Sequence, residues 1–328
     1  MEEKLAVAID LGGTNLKGAI VTESGKYRHL TRVRTHEHEN DKCVLDKILD
    51  MIDSLIKSEG SKEHIVGVGI GTPGFVDLNG VVSSAENVPG WSGTQIYDPI
   101  KKRFDLRATA ANDVTAAACA EWKYGAGKGV ANMVCFALGT GIGGGMVLDN
   151  KLYKGTHGMA GELGHISVET DGFLCKCGQH GCVEQYASGR GIVNVAKRVV
   201  NETPAGEATP FVEFVKSNPP DLGAKSIYRR YIEVENPDPV ALKVHDMVCD
   251  MLSRVIGISL NTFAPDKVVI GGGVMKSEKV MLEGISKFVP RYCWPAILEH
   301  CEIVSAALGE DAGVIGAGAM AFEELTVC

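Results

Sequence analysis

Three cysteines fall within eight residues, as Cys175-x-Cys177-x4-Cys182. Uniform scattering of the chain's ten cysteines would place far fewer than one in such a window. The start, Met1-Glu2-Glu3-Lys4, is acidic and runs straight into a short apolar stretch, so no secretory signal is expected and the expected location is the cytoplasm. There, clustered thiols favour a metal or catalysis over disulfides. Zn²⁺ takes four tetrahedral N/S ligands. Two histidines could supply the fourth: His165, ten residues before Cys175, and His180 within the run. Reduced, buried thiols are the plainer alternative.

Glycine supplies the second chemical signal. It makes up 40 of 328 residues, and its clustering asks for a local reason. Three glycine-rich turns, Gly12-Gly13-Thr14-Asn15, Gly139-Thr140-Gly141-Ile-Gly-Gly-Gly145 and Gly271-Gly272-Gly273, each follow a short apolar run. Backbone N–H groups in such turns can cradle phosphate, because no Cβ blocks close approach. No G-x-x-x-x-G-K-[ST] motif is present, and a strand rather than a helix follows Gly12-Gly13, so neither common nucleotide fingerprint applies. Tight hairpins could explain any one turn. Three together, with Asp10 ending the first strand and Thr14 and Thr140 inside two of the turns, favour phosphate. Asp10 is also placed to hold Mg²⁺, directly or through water.

The elements that position these residues follow from apolar spacing. Strands are expected over Leu5–Ile9, Leu16–Val21, Tyr27–Arg34, Ile65–Ile70, Arg107–Ala111, Met133–Leu138, Met146–Leu148 and Lys267–Ile270. Val44, Leu45, Ile48, Leu49, Ile52, Leu55 and Ile56 recur at helical spacing. Further helices are expected over Val114–Trp122 and Val240–Phe263, with a closely packing small-residue helix over Gly309–Ala321. Residues 202–239 carry six prolines and read as short helices and loops. Strand, glycine turn, strand occurs twice, a weak internal repeat that points to a duplicated fold. The expectation is an α/β protein of two similar halves, with the ligand in the cleft between them.

Composition bounds the rest. A length of 328 residues suits two domains, and 45% hydrophobic with 23% charged residues is ordinary for a globular chain. The net charge of −8 gives no electrostatic case for nucleic acid. No apolar run reaches the roughly 18 residues of a membrane span.

Asp10-Leu-Gly-Gly-Thr-Asn15, Leu138-Gly-Thr-Gly-Ile-Gly-Gly-Gly145 and Val269-Ile-Gly-Gly-Gly273 resemble the nucleotide-binding segments of sugar kinases with the actin-like ATPase (ribonuclease H-like) fold. More narrowly, the chain resembles the ROK family from about Leu5 to Ala321, and is most similar to its bacterial glucokinases. The resemblance implies two α/β domains. The smaller spans 1–113, completed by a C-terminal helix at about 309–328. The larger, with the zinc site, spans 114–308.

The segment Glu162-Leu-Gly-His165, followed by Cys175-Lys-Cys-Gly-Gln-His-Gly-Cys182-Val-Glu184, is similar to the family signature. It implies His165, Cys175, Cys177 and Cys182 as ligands of a closed, structural zinc. His165 could bind metal through one ring nitrogen and turn the other to the sugar. The resemblance further implies that Gly74, Asn87, Asn112, Glu162, His165 and Glu184 hold the sugar. ATP phosphates would lie on Gly12, Gly13, Thr14, Asn15, Lys17, Gly139, Thr140 and Gly141, with Gly271, Gly272 and Gly273 near the adenosine.

Asp113 would be the general base for the sugar 6-hydroxyl. Taken alone, an Asp before an apolar helix is a routine cap. Ala111 departs from the family, which usually has an acidic residue there. Trp91 reads as core or pocket wall. The expected activity is ATP- and Mg²⁺-dependent glucose phosphorylation by a dimer or tetramer. The alternatives are another hexose (N-acetylmannosamine, N-acetylglucosamine, fructose, mannose or allose), a sugar-sensing repressor, or a filament-forming relative.

Overall fold

The computed structural model describes residues 3–35, 44–85 and 88–323. A meander opens the chain: β1 (Leu5–Leu11), β2 (Asn15–Thr22) and β3 (Tyr27–Arg34). Helix α1 (Val44–Glu59) and strand β4 (Ile65–Thr72) follow. A small hairpin of β5 (Phe75–Val76) and β6 (Val82–Ser84) precedes α2 (Tyr97–Phe104), β7 (Ala108–Asn112) and α3 (Asp113–Tyr124).

A second meander then begins with β8 (Met133–Leu138), β9 (Ile142–Leu148) and β10 (Lys151–Tyr153). It leads through α4 (Glu184–Ala187), α5 (Gly189–Glu202), α6 (Pro210–Ser217) and α7 (Ala224–Ile227) to the long α8 (Pro239–Phe263). The chain continues with β11 (Lys267–Gly271), α9 (Glu278–Phe288), α10 (Pro295–Leu298), β12 (Glu302–Ser305) and α11 (Ala312–Glu323).

The two five-stranded sheets have the same internal order, β3-β2-β1-β4-β7 and β10-β9-β8-β11-β12. In each, the first strand of a meander lies at the centre, and the later strands add beyond it. The first sheet is antiparallel across β1–β2–β3 and parallel across β1–β4–β7.

The chain forms two compact units. The first gathers the described residues of Met1–Met133, Gly145–Gly161 and Ala307–Cys328; the second gathers Val134–Gly144 and Glu162–Ala306.

In the first unit, β1 shows how sequence sets packing. Successive strand residues face opposite sides of the sheet. Leu5, Val7, Ile9 and Leu11 share one buried cluster with Ile48, Met51, Ile52 and Leu55 of α1. Ala6 and Ala8 face the other way and cluster with Val314, Ala317 and Ala321 of α11. Large residues fill one face and small ones the other because α11 lies close. A Cβ on Gly69 of β4 would stand 1.7 Å from the Ala317 carbonyl oxygen. A Cβ on Gly316 would stand 1.8 Å from that of Ala116 in α3. The glycine and alanine content of this helix is thus a packing requirement.

In the second unit, α8 is the central apolar helix, with Val244, Val248, Leu252, Val255, Ile256 and Leu260 buried. Residues 202–239 hold short helices and irregular chain, as their prolines predict.

The start of β9 departs from expectation. The run Gly139–Gly145 reads as a single turn, yet β9 begins at Ile142. Gly145 inside the strand serves contact: a Cβ there would stand 2.5 Å from the Ala118 Cβ of α3. No helix among the described residues is long and apolar enough to cross a membrane.

Candidate functional site

In the first unit, the candidate residues collect at the C-terminal ends of parallel strands, where open α/β sheets bind ligands. The pairing register sets Asp10 of β1 beside Gly71 of β4, Gly71 beside Ala111 of β7, and Thr72 beside Asn112. Asp113 follows at once as the first residue of α3. Built at Gly71, a Cβ would meet the Asp113 Cα at 3.7 Å and Asp10 Oδ1 at 3.9 Å. The two aspartates therefore border one glycine.

Asn112 is the N-cap of α3: its Oδ1 accepts from Val114 N at 2.9 Å, and Asp113 Oδ1 accepts from the same N–H at 2.9 Å. Asn112 Nδ2 donates to the Gly74 carbonyl at 3.3 Å, which brings two sugar candidates together. Gly74 has φ +86°, and a Cβ there would overlap the Ser84 carbonyl at 1.5 Å, so only glycine fits. Trp91 is buried and donates to Thr72 Oγ1 at 2.7 Å, a core role. Asn87 lies outside the described residues.

Asp10 continues the series Ala6, Ala8 on the α11 face of the sheet. Burial raises its carboxyl above the ordinary range, against the pull of Lys17 and Arg32, while Asp311 raises it further. Lys17 pairs with Asp10 across β1–β2, and Arg32 with Lys17 across β2–β3. Lys17 Nζ also donates to the Glu310 carbonyl at 2.9 Å. A Cβ on Gly313, in the first turn of α11, would stand 2.7 Å from Asp10 Oδ2. Arg32, Asp311 and Gly313 escaped the sequence reading. The register across three strands would have exposed Arg32; nothing local marks the other two.

The turn after β1 is open, with Gly13 and Thr14 exposed. Gly12 N–H donates to the Asn15 carbonyl at 2.8 Å, and Thr35 Oγ1 donates to the Gly12 carbonyl at 2.7 Å.

In the second unit, the corresponding turn is closed by Gly139 N–H on the Gly141 carbonyl at 2.9 Å, with Thr140 exposed. The turn at Gly271–Gly273 lies beside it. Gly272 has φ +95°, and a Cβ there would stand 2.5 Å from the Leu138 carbonyl oxygen. Gly273 faces open space.

The cysteine cluster gathers in the same unit. One ligand atom from each of His165, Cys175, Cys177 and Cys182 lies within 4.8 Å of every other. Cys175 Sγ is 3.5 Å from His165 Nδ1, and Cys177 Sγ is 3.6 Å from Cys182 Sγ. His180 stands apart, with Nδ1 3.0 Å from the Gly172 carbonyl. Three thiols and one imidazole are the donor set of a closed tetrahedral zinc site.

His165 Nε2 faces Glu162 Oε2 at 3.7 Å, so the histidine turns one nitrogen to the thiols and the other to a carboxylate. Partial burial raises the Glu162 carboxyl above its ordinary value; His165 opposes this and the nearby Glu184 adds to it. Glu184 Oε2 accepts from Ile142 N at 2.9 Å. Of the scattered cysteines, Cys119 is fully buried with its thiol pushed up to about 12, which fits a core role.

Known proteins resemble the chain over nearly its whole length. The ROK family model matches residues 6–324. The chain is 34% identical to a glucokinase of Halalkalibacterium halodurans, over 97% of this chain and 95% of that one. It is 32% identical to a ROK family glucokinase from Streptomyces griseus solved with glucose and AMPPNP, with a TM-score of 0.73 over 97% of this chain and 99% of that one. It is also 27% identical to a xylose repressor of Caldicellulosiruptor bescii, over 88% of this chain and 70% of that one. The fold is that of the actin-like ATPase sugar kinases. Matching sheets, paired glycine turns and a nearly full-length family match lead to one conclusion: the chain belongs to the ROK family.

Proposed function

We propose that the chain is an ATP-dependent sugar kinase acting on the 6-hydroxyl of glucose, with Asp113 as general base. The observation that carries this reading is the strand-end arrangement, in which Asp10 and Asp113 border Gly71 next to an open glycine turn. Its likeness to glucokinases supports the choice of sugar.

In the proposed reaction, the sugar O6 forms a bond to the γ-phosphorus as the bond to the bridging β,γ-oxygen breaks. ADP departs with that electron pair, and Asp113 takes the hydroxyl proton. An Asp ionised at neutral pH suffices, because positioning carries most of the effect. Gly74, Asn87, Asn112, Glu162, His165 and Glu184 would hold the sugar. The turns at Gly12–Thr14 and Gly139–Gly141, with Asn15 and Lys17, would take the phosphates, and Gly271–Gly273 would adjoin the adenosine.

Mg²⁺, when bound, would neutralise phosphate charge; the strand-end carboxylate of Asp10 suits it. Zinc, when bound by His165, Cys175, Cys177 and Cys182, would supply structure rather than chemistry, since four protein ligands leave no open position. Its effect would be to fix His165, and through it the sugar-facing nitrogen. A cytoplasmic location is part of the same reading.

The test is a coupled ADP-release assay with Mg·ATP across a panel of hexoses, comparing kcat/KM. A clear preference for glucose supports the full proposal. Preference for an acetylated or 2-keto sugar moves the chain to another kinase specificity. No ADP release from zinc-loaded protein with any sugar overturns the kinase reading. The likeness to a xylose repressor then makes sugar sensing the reading to pursue, with a DNA mobility shift as its check.

A further inference from the structure

Glu184 performs a task that sugar binding does not require. Its Oε2 accepts the backbone N–H of Ile142 at 2.9 Å, at the point where the second glycine turn becomes β9. Gly141 permits the contact: a Cβ there would stand 2.3 Å from that same oxygen. Beyond Ile142, its carbonyl oxygen packs close against the Gly164 backbone, where a Cβ would stand 2.1 Å from it. Gly189 N–H, opening α5, donates to the Gly139 carbonyl at 2.8 Å. Three non-local segments thus hold one turn. Two of them adjoin candidate metal ligands, as Gly164 precedes His165 and Glu184 follows Cys182 by two. Val183 N–H on the Ile166 carbonyl at 3.0 Å joins these two segments directly.

We infer that Glu184 is a positioning residue for the phosphate-binding turn Gly139–Gly141, so that one carboxylate serves both the sugar wall and the nucleotide. The inference rests on the kinase reading given above. A carboxylate accepting a backbone N–H is a charge-assisted bond, and its loss leaves the Ile142 N–H without that acceptor. The turn then samples shapes that do not fit phosphate.

The test is the affinity for Mg·ADP with no sugar present, by calorimetry. Glu184→Ala should weaken binding about tenfold, the scale of one lost charge-assisted bond. Glu184→Gln keeps a carbonyl acceptor and should stay within about threefold of the parent. An alanine variant within threefold, or a glutamine variant as weak as the alanine one, overturns the inference. So does slow, unchanged amide exchange across residues 139–144 in Gly141→Ala measured without nucleotide, because that Cβ must push the carboxylate away. The Gln and Gly141→Ala variants keep the inference testable should Glu184→Ala fail to fold. If the unaltered chain binds no Mg·ADP, the kinase reading falls too; if it binds and the variants follow none of the expected pattern, only the positioning role falls.

Discussion

The two glycine turns occupy matching places and are secured in different ways. Each follows the central strand of a sheet, and the two sheets share one strand order. The first turn is held by a near neighbour in the chain: Thr35, just past β3, binds the Gly12 carbonyl through its hydroxyl and the Thr14 carbonyl through its N–H at 3.0 Å. The second is held by Glu184, Gly164 and Gly189, all distant in sequence and two of them beside the thiol cluster. The two turns thus differ in how far their partners lie along the chain and in whether a charged side chain takes part. In the first unit, glycines also seat α11 on β4 and α3 by main-chain approach. In the second, a carboxylate joins two glycine main-chain contacts at the turn. Shared topology therefore fixes where a turn lies and leaves open what makes it rigid.

The largest expected effect separates chemistry from binding. Asp113→Ala should lower kcat by about 10²- to 10⁴-fold, the usual range for a lost general base, with sugar affinity within about tenfold of the parent. Near-normal turnover in steady-state assays would remove Asp113 from the role.

Cys177→Ser should strike the other unit. We expect loss of bound zinc, a lower melting temperature and a weakened sugar site together, read by metal analysis, calorimetry and sugar titration. Stoichiometric zinc with full activity would contradict the cluster.

Gly316→Ala tests main-chain approach in the first unit. Its Cβ would lie 1.8 Å from a backbone carbonyl oxygen, which cannot swing aside. Denaturant unfolding should show a loss of about 3 kcal/mol with metal content unchanged.

A smaller effect belongs to His245, buried on α8 within 3.1 Å of the Tyr228 hydroxyl and beside Cys249. Asp246, Glu283 and Lys287 are the charged groups acting on it. Burial, the leading cause, lowers its pKa below the ordinary 6.5. The unfolded chain thus binds this proton more readily than the folded one. The contribution is complete above about pH 6.5 and declines as pH falls from there toward the lower folded value. Urea midpoints at pH 7.5 and 5.5 should show this loss, and His245→Gln should reduce it; an equal loss in the variant would refute the assignment.

The smallest expected change is none: His180→Ala should keep its zinc by metal analysis, since His180 faces the Gly172 carbonyl. Loss of metal there would transfer the ligand role to His180.

What the sequence made legible was local. The spacing of Leu5, Val7 and Ile9 marks β1, and the bounds of β3 and β8 agree with expectation to the residue. The helix signal from Val44 to Ile56 is extended by one turn to Glu59. The start of β9 was hidden because Gly143, Gly144 and Gly145 carry no side chain to show alternation. β12 escaped notice because Glu302–Ser305 is short and half polar.

At the site, the glycines and thiols could be found from composition and spacing. The bond from Ile142 to Glu184 could not, because it depends on pairing between distant segments, and the row Asp10, Lys17, Arg32 needed the register of the meander, which spacing alone did not set. The choice of His165 over His180 needed the family resemblance; spacing alone allowed either.

The seating of α11 has a consequence for synthesis. Ala6 and Ala8 of β1 and Gly69 of β4 await a helix that emerges from the ribosome only after the entire second unit. Until then that face of the first sheet has α3 but lacks α11, while the second unit already has all of its strands and helices. The nascent chain should therefore gain its compact units in the reverse of their chain order, and the early sheet is the stretch most in need of a chaperone during translation.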